Sequence, residues 1–260
     1  MRRFSFIAVP RGSNFAELEG QLDKATGKEF SRLADLLGKM KHKEGDFKSA
    51  LEFYRKSATA LEVLVNSGGD KKVKFDYSCA LSNVSAALGE LGRAEEALRV
   101  AESSLVMRKT LLGSTHFAVA ESLTNVGRIL FMLGRIQRAT DAFEEALTLF
   151  LSHSDGKEDT PYVAIAYLNV GMAYRRHPSG LEEQGKKAIE KATRLAILVW
   201  GENHPETQIF KDSITWKLFV CENEVWNITS FSIVEDLRIC QRRDDFATLL
   251  YTCATSEAVR

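Results

Sequence analysis

The sequence predicts an all-α fold built from stacked antiparallel helix hairpins, and three observations carry that prediction. The stretch from Ala118 to Leu151 holds two helical periodicities on either side of a glycine. The same marks return along the chain at a nearly fixed interval. Only 4 prolines occur in 260 residues, which suits long, uninterrupted helices.

In the first half of that stretch, Val119, Leu123, Val126, Ile129, Leu130 and Leu133 follow helical spacing. Gly134-Arg135 breaks the pattern, and Ile136, Ala139, Phe143, Ala146, Leu147 and Phe150 resume it. Two amphipathic helices joined by so short a break fold back on each other. A lone hairpin of this size leaves an apolar face in water, so it needs neighbours of its own kind. They are present. Leu-Gly-Arg stands at Leu91-Gly92-Arg93 and at Leu133-Gly134-Arg135, 42 residues apart. Asn-Val and a small residue stand at Asn83-Val84-Ser85, Asn125-Val126-Gly127 and Asn169-Val170-Gly171, at spacings of 42 and 44. Leu36-Leu37-Gly38 and Glu44-Gly45-Asp46 hold the matching places 47 residues further upstream. Two separate marks recurring in phase make the repeat a strong signal.

These residues resemble tetratricopeptide repeats, specifically the long-helix variety of kinesin light chains. The small residue of the first helix is Gly38, Ser85, Gly127 and Gly171, and the alanine opening the second helix is Ala50, Ala97, Ala139 and Ala188. The aromatic-then-alanine mark is Phe143 and Ala146, with Tyr54 and Ser57, Ala101 and Ser104, and Ala192 and Leu195 at the corresponding places. A Leu-Gly-x-x-His linker appears at Leu112-Gly113-Ser114-Thr115-His116 and returns as Trp200-Gly201-Glu202-Asn203-His204-Pro205. The resemblance runs from about Phe30 to Phe219 and implies a right-handed superhelical solenoid of about four and a half repeats.

In chain order, residues 1–28 form an N-terminal extension, read as disordered or loosely docked, in which Asn14 and Glu17 suit the start of a short helix through Gln21-Leu22. The repeat array occupies 29–220, with hairpins at about 29–66, 73–112, 117–153 and 161–200 and a half repeat at 205–220. Asp46 is a good N-cap, Asn66-Ser67-Gly68-Gly69-Asp70 a helix stop, and Pro161 a first-turn proline after Asp159-Thr160. His177-Pro178-Ser179-Gly180 lengthens the fourth turn: Gly171 to Ala188 is 17 residues where Gly127 to Ala139 is 12. That is a surface insertion or a specificity loop on one rim. After Cys221 the periodicity fails, and 221–260 is a divergent cap using Trp226, Phe231, Ile233, Leu237 and Ile239, or a tail.

Composition narrows the function. Lys plus Arg and Asp plus Glu are each 35, so nucleic-acid binding lacks its electrostatic footprint. Cys79, Cys221, Cys240 and Cys253 form no Cys-x-x-Cys pair, which fits a reducing compartment such as the cytoplasm. Arg2, Arg3 and Arg11 precede any acid and leave an organellar leader as the alternative. No run reaches the ~18 apolar residues of a membrane span. The phosphate-loop pattern fails, since Gly20 to Gly27-Lys28 has six intervening residues and Glu29 follows. His42, His116, His153, His177 and His204 never pair at metal spacing, and no Gly-x-Ser-x-Gly elbow occurs. Neither an enzyme nor a cofactor is expected.

In tetratricopeptide arrays the first helices line the concave side. The resemblance therefore puts Asn83, Asn125 and Asn169 on a shared inner groove. An amide there supplies donors and an acceptor to an extended peptide backbone, while packing between helices is the alternative role. One turn on, Arg128, Met172 and Arg176 give a partly basic floor that favours an acidic or C-terminal carboxylate partner. The expected function is a non-catalytic scaffold or adaptor for a peptide or partner protein. The alternative is a co-chaperone-type receptor for acidic C-terminal peptides. Against that alternative, Leu36 replaces the asparagine in the first hairpin, and Lys39 and Lys43 do not complete a carboxylate clamp. Oligomeric state is left open by the residues.

Overall fold

The computed structural model describes residues 14–154 and 157–215. These form helices α1 (Phe15–Leu22), α2 (Gly27–Lys43), α3 (Phe47–Asn66), α4 (Lys71–Glu90), α5 (Ala94–Leu112), α6 (Phe117–Met132), α7 (Ile136–His153), α8 (Pro161–Arg175), α9 (Glu182–Trp200) and α10 (Pro205–Thr215), with no strand among the described residues. Helices α2/α3, α4/α5, α6/α7 and α8/α9 pair as hairpins. Each hairpin packs on the next, and α10 packs on α9, so the fold is an all-α superhelical repeat.

The recurring sequence marks are helix boundaries. Gly45, Gly92 and Gly134 hold positive φ of 78°, 73° and 70° in three-residue turns. The next residue then folds its N–H back to a carbonyl five residues earlier: Arg93 to Leu88 and Arg135 to Leu130, both at 2.9 Å. This is the left-handed glycine stop. The next helices are capped in turn. Asp46 accepts from Ser49 N–H at 3.1 Å, Asp70 from Val73 at 2.8 Å and Thr160 from Val163 at 3.3 Å. The linker histidines do the same work: His116 Nδ1 accepts from Ala118 N–H at 3.1 Å and His204 Nδ1 from Glu206 at 3.2 Å.

Inside each hairpin the small residue sets how closely the two helices approach. A Cβ added at Gly38 would lie 2.6 Å from the Tyr54 ring, and one at Gly127 2.6 Å from the Phe143 ring. In the second hairpin the size is exchanged: Ser85 takes the glycine's place, Ala101 that of the ring, and Ser85 Oγ donates to Ala97 O at 2.8 Å. The buried side chains form successive apolar clusters, from Leu18, Leu22, Leu33, Leu37 and Phe53 at the N-terminal end to Ile189, Ala192, Leu195 and Phe210 at the far end.

The short helix expected through Gln21-Leu22 is present, and the register of the fourth hairpin is corrected. Part of the N-terminal extension is ordered: α1, capped by Asn14 accepting from Ala16 N–H at 3.1 Å, buries Leu18 and Leu22 over the open end of the first hairpin. The fourth hairpin is also out of the expected register. The residue facing Gly171 is Ile189, whose Cγ1 would lie 2.6 Å from an added Cβ, and a Cβ added at Gly185 would in turn lie 2.7 Å from Gly171 O. Gly185 stands three residues into α9, as Ala139 does in α7, so it replaces Ala188 as the opening small residue and Ala192 falls at the place of Ala146. The turn still runs longer, over 176–181. Residues 216–260, with the expected cap, lie outside the described residues.

Candidate groove of the first helices

Helices α2, α4, α6 and α8 form one wall of the array, since α4 touches α6 and α6 touches α8 besides their own partners. Polar side chains also reach across that wall. Asn83 Nδ2 on α4 donates to Asp35 Oδ1 on α2 at 2.6 Å, and Asp35 Oδ2 pairs with Lys39 Nζ at 3.0 Å. Asn83 is 8% exposed. Asn125 and Asn169, its counterparts on α6 and α8, are half-buried. Neither side chain has a hydrogen-bond partner among the described residues. Leu36, the counterpart on α2, is buried.

The basic residues separate in the same way. Arg128 is half-buried, with its Nε sealed from solvent. Burial draws its pKa down to about 10, opposed by the Glu90 carboxylate at the end of α4, so it stays charged near neutral pH. Its charge also reaches the end of α2. His42 is lowered to about 4, by burial first and by Arg128 second, and its ring lies edge-on to Phe47 at 5.1 Å. Arg176 is exposed, and its guanidinium lies over the Phe131 ring of α6 at 5.0 Å. Met172 is half-buried beside these residues in the sequence of α8. Asp76, half-buried on α4, has its carboxyl raised, chiefly by burial.

Sequence reasoning passed over two features. Asp35 is one, since nothing in the repeat marks singles it out. The other is a buried charge between repeats. Arg108, 2% exposed near the end of α5, donates to Ala118 O at 3.0 Å and Ser78 Oγ at 3.2 Å, and pairs with Glu121 of α6 at 3.4 Å. Its trace in the sequence is Glu121 itself, the one acid of α6.

Residues 76–152, the span of the second and third hairpins, match the family model of the tetratricopeptide repeat. These two hairpins are similar to tetratricopeptide repeats. Such repeats are in general non-catalytic modules for protein–protein contact. Among solved structures the chain is similar to BtubC (BKLC) from P. vanneervenii, with a TM-score of 0.59 at 18% identity over 88% of this chain and 87% of that one. It is also similar to a putative kinesin light chain of Podosopora anserina with nearly identical TPR-like repeats, with a TM-score of 0.55 at 13% identity over 88% of this chain and 97% of that one. A variant of that protein gives 0.57 at 14% identity over 81% and 95%. At such identities the likeness is one of fold. No curated protein matches the chain. Among the described residues, no helix is long and apolar enough to cross a membrane.

Proposed function

We propose that this chain is a scaffold or adaptor that holds an extended peptide, or an extended segment of a partner protein, in the groove lined by α2, α4, α6 and α8, with no catalysis of its own. The observation that carries this reading is the pair Asn125 and Asn169. They stand at equivalent points of adjacent first helices, half-buried and without internal hydrogen bonds among the described residues. A buried amide normally has a partner, so two half-open ones at one repeat position suit a backbone brought in from outside. The resemblance to kinesin-light-chain repeats supports an adaptor role, in a reducing compartment such as the cytoplasm.

The test is an affinity capture from lysate with wild type and an Asn125→Ala/Asn169→Ala variant, each first checked for helical content and melting temperature. A partner retained by wild type and lost by a folded variant supports groove binding. Equal retention rejects it. The co-chaperone reading draws on the exposed Arg176 but still lacks the first-hairpin asparagine, because Leu36 is apolar and buried. Titration with a free acidic C-terminal peptide distinguishes the two.

A further inference from the structure

The turn between α8 and α9 is longer than those of the other hairpins. Residues 176–181 join these helices, where 44–46, 91–93 and 133–135 suffice in the first three. The extra residues stand clear of the core: Pro178, Ser179 and Gly180 are all exposed. Ser179 N–H donates to His177 Nδ1 at 3.2 Å, and Gly180, at a φ of 69°, turns the chain back towards α9.

The Ser179 hydroxyl differs from those of the other exposed serines among the described residues. Ser67 and Ser152 donate theirs to the carbonyls of Val63 and Leu149 at 2.8 Å, and Ser103 donates to Arg99 O at 2.9 Å. Ser114 is exposed too, but an apolar residue, Leu111, stands three places before it. Ser179 makes no side-chain hydrogen bond among the described residues, and Arg175 and Arg176 stand four and three places before it.

Arginine and acid both flank this hydroxyl, and the fold makes them unequal. Arg176 is exposed, follows the last residue of α8 and lies over the Phe131 ring at 5.0 Å. The run from Arg176 to Gly180 can therefore extend into an enzyme cleft without unwinding a helix. Glu182 and Glu183, three and four places after Ser179, lie inside the first turn of α9. That turn is anchored: a Cβ added at Gly185 would stand 2.8 Å from Arg175 Cγ and 2.7 Å from Gly171 O. Drawing the two acids out means lifting the start of α9 off α8. Charge patterns around the acceptor decide which kinase takes it, and here the upstream half is the one presented.

We propose that Ser179 is a phosphorylation site for protein kinases that select arginine three residues before the acceptor. In the transfer, Ser179 Oγ bonds to the γ-phosphorus of ATP as the bond from that phosphorus to the β–γ bridging oxygen breaks. ADP leaves with the electron pair, and the hydroxyl proton passes to the catalytic base of the kinase. The product carries about −1.5 to −2 charge in the turn that opens with Arg176. This site does not depend on the groove-binding reading.

The test uses the full, folded chain with magnesium and ATP labelled in its γ-phosphate. Two enzymes are compared: an active kinase of the calmodulin-dependent type, which selects the upstream arginine, and one of the casein-kinase type, which selects downstream acids. Peptide mass spectrometry locates the label. The first enzyme is expected to place about one phosphate per chain on Ser179. Ser179→Ala should remove it with the melting temperature unchanged. Arg176→Ala should lower kcat/KM roughly tenfold or more, and Glu182→Gln/Glu183→Gln should leave it within about twofold. No incorporation into the folded chain, label appearing only after heat unfolding, or label confined to other residues such as Ser5 behind Arg2-Arg3 would overturn the proposal. So would an Arg176→Ala variant phosphorylated as well as wild type, or preference for the second enzyme with loss in the glutamine variant.

Discussion

Gly127 faces the ring of Phe143 so closely that one added methyl group would stand 2.6 Å from it. The same contact joins Gly38 to Tyr54, and the second hairpin solves it the other way round with Ser85 and Ala101. The first three hairpins thus fill the space between their helices by exchanging volume between two facing positions. Gly127→Ala should therefore destabilise the array by about 1–3 kcal/mol through overpacking, despite the better helix propensity of alanine. In a Phe143→Leu background the same substitution should cost less, since the smaller side chain frees space. A double-mutant cycle from urea unfolding measures the coupling. Additive losses would mean that the ring does not set the separation.

Ser122 provides a test of opposite sign. Its hydroxyl is buried on α6 with no hydrogen-bond partner among the described residues, and the equivalent positions on α4 and α8 are the buried alanines Ala80 and Ala166. Desolvating an unbonded hydroxyl costs about 1–3 kcal/mol, so Ser122→Ala should raise stability by about 1 kcal/mol. For an array of this size that corresponds to a melting-temperature gain of roughly 2–4 °C, readable by calorimetry. A fall in melting temperature would show that the hydroxyl is bonded in solution.

The parts of this molecule legible in its sequence are those set by local rules. Gly92 and Gly134 mark turns because only glycine adopts their left-handed backbone cheaply, and His116 and His204 announce helix starts because each caps the turn after it. The fourth hairpin is less legible because its opening small residue is Gly185 and an alanine, Ala188, stands three residues further on. Facing contacts leave fainter traces. Asp35 pairs with Asn83 across 48 positions, and no periodicity in either helix points to that bond. The three asparagines share one repeat position yet differ in environment, because each neighbouring helix presents something different to them.

The Arg108–Glu121 pair follows the rules for a charge buried between repeats. With both side chains at most 5% exposed, removing one partner strands the other. Arg108→Met and Glu121→Gln should each cost about 3–5 kcal/mol, while a double replacement by apolar residues of matched volume should recover much of that loss. Because Arg108 holds α5 to both α4 and α6, hydrogen exchange in Arg108→Met should quicken in the second and third hairpins before the fourth. Uniform quickening along the array would show that the pair contributes to global stability alone.

Acid should loosen the N-terminal end of the array through the half-buried His42. Burial lowers His42, His116 and His204 below the usual 6.5, and His42 falls to about 4 with the Arg128 charge adding to the effect. A histidine depressed in the folded state binds fewer protons there than in the unfolded chain. Its contribution is therefore fully present above about pH 6.5 and is lost as the pH falls towards 4. Stability measured by urea unfolding should be flat near neutrality and decline through that window. His42→Phe keeps an aromatic ring against Phe47 and removes the titration, so the variant should lose less stability than wild type between pH 6.5 and 4. The first hairpin should show the difference first, because His42 sits in the last turn of α2. An unchanged slope in the variant would mean that the ring of His42 is open to water and to protons in the folded chain.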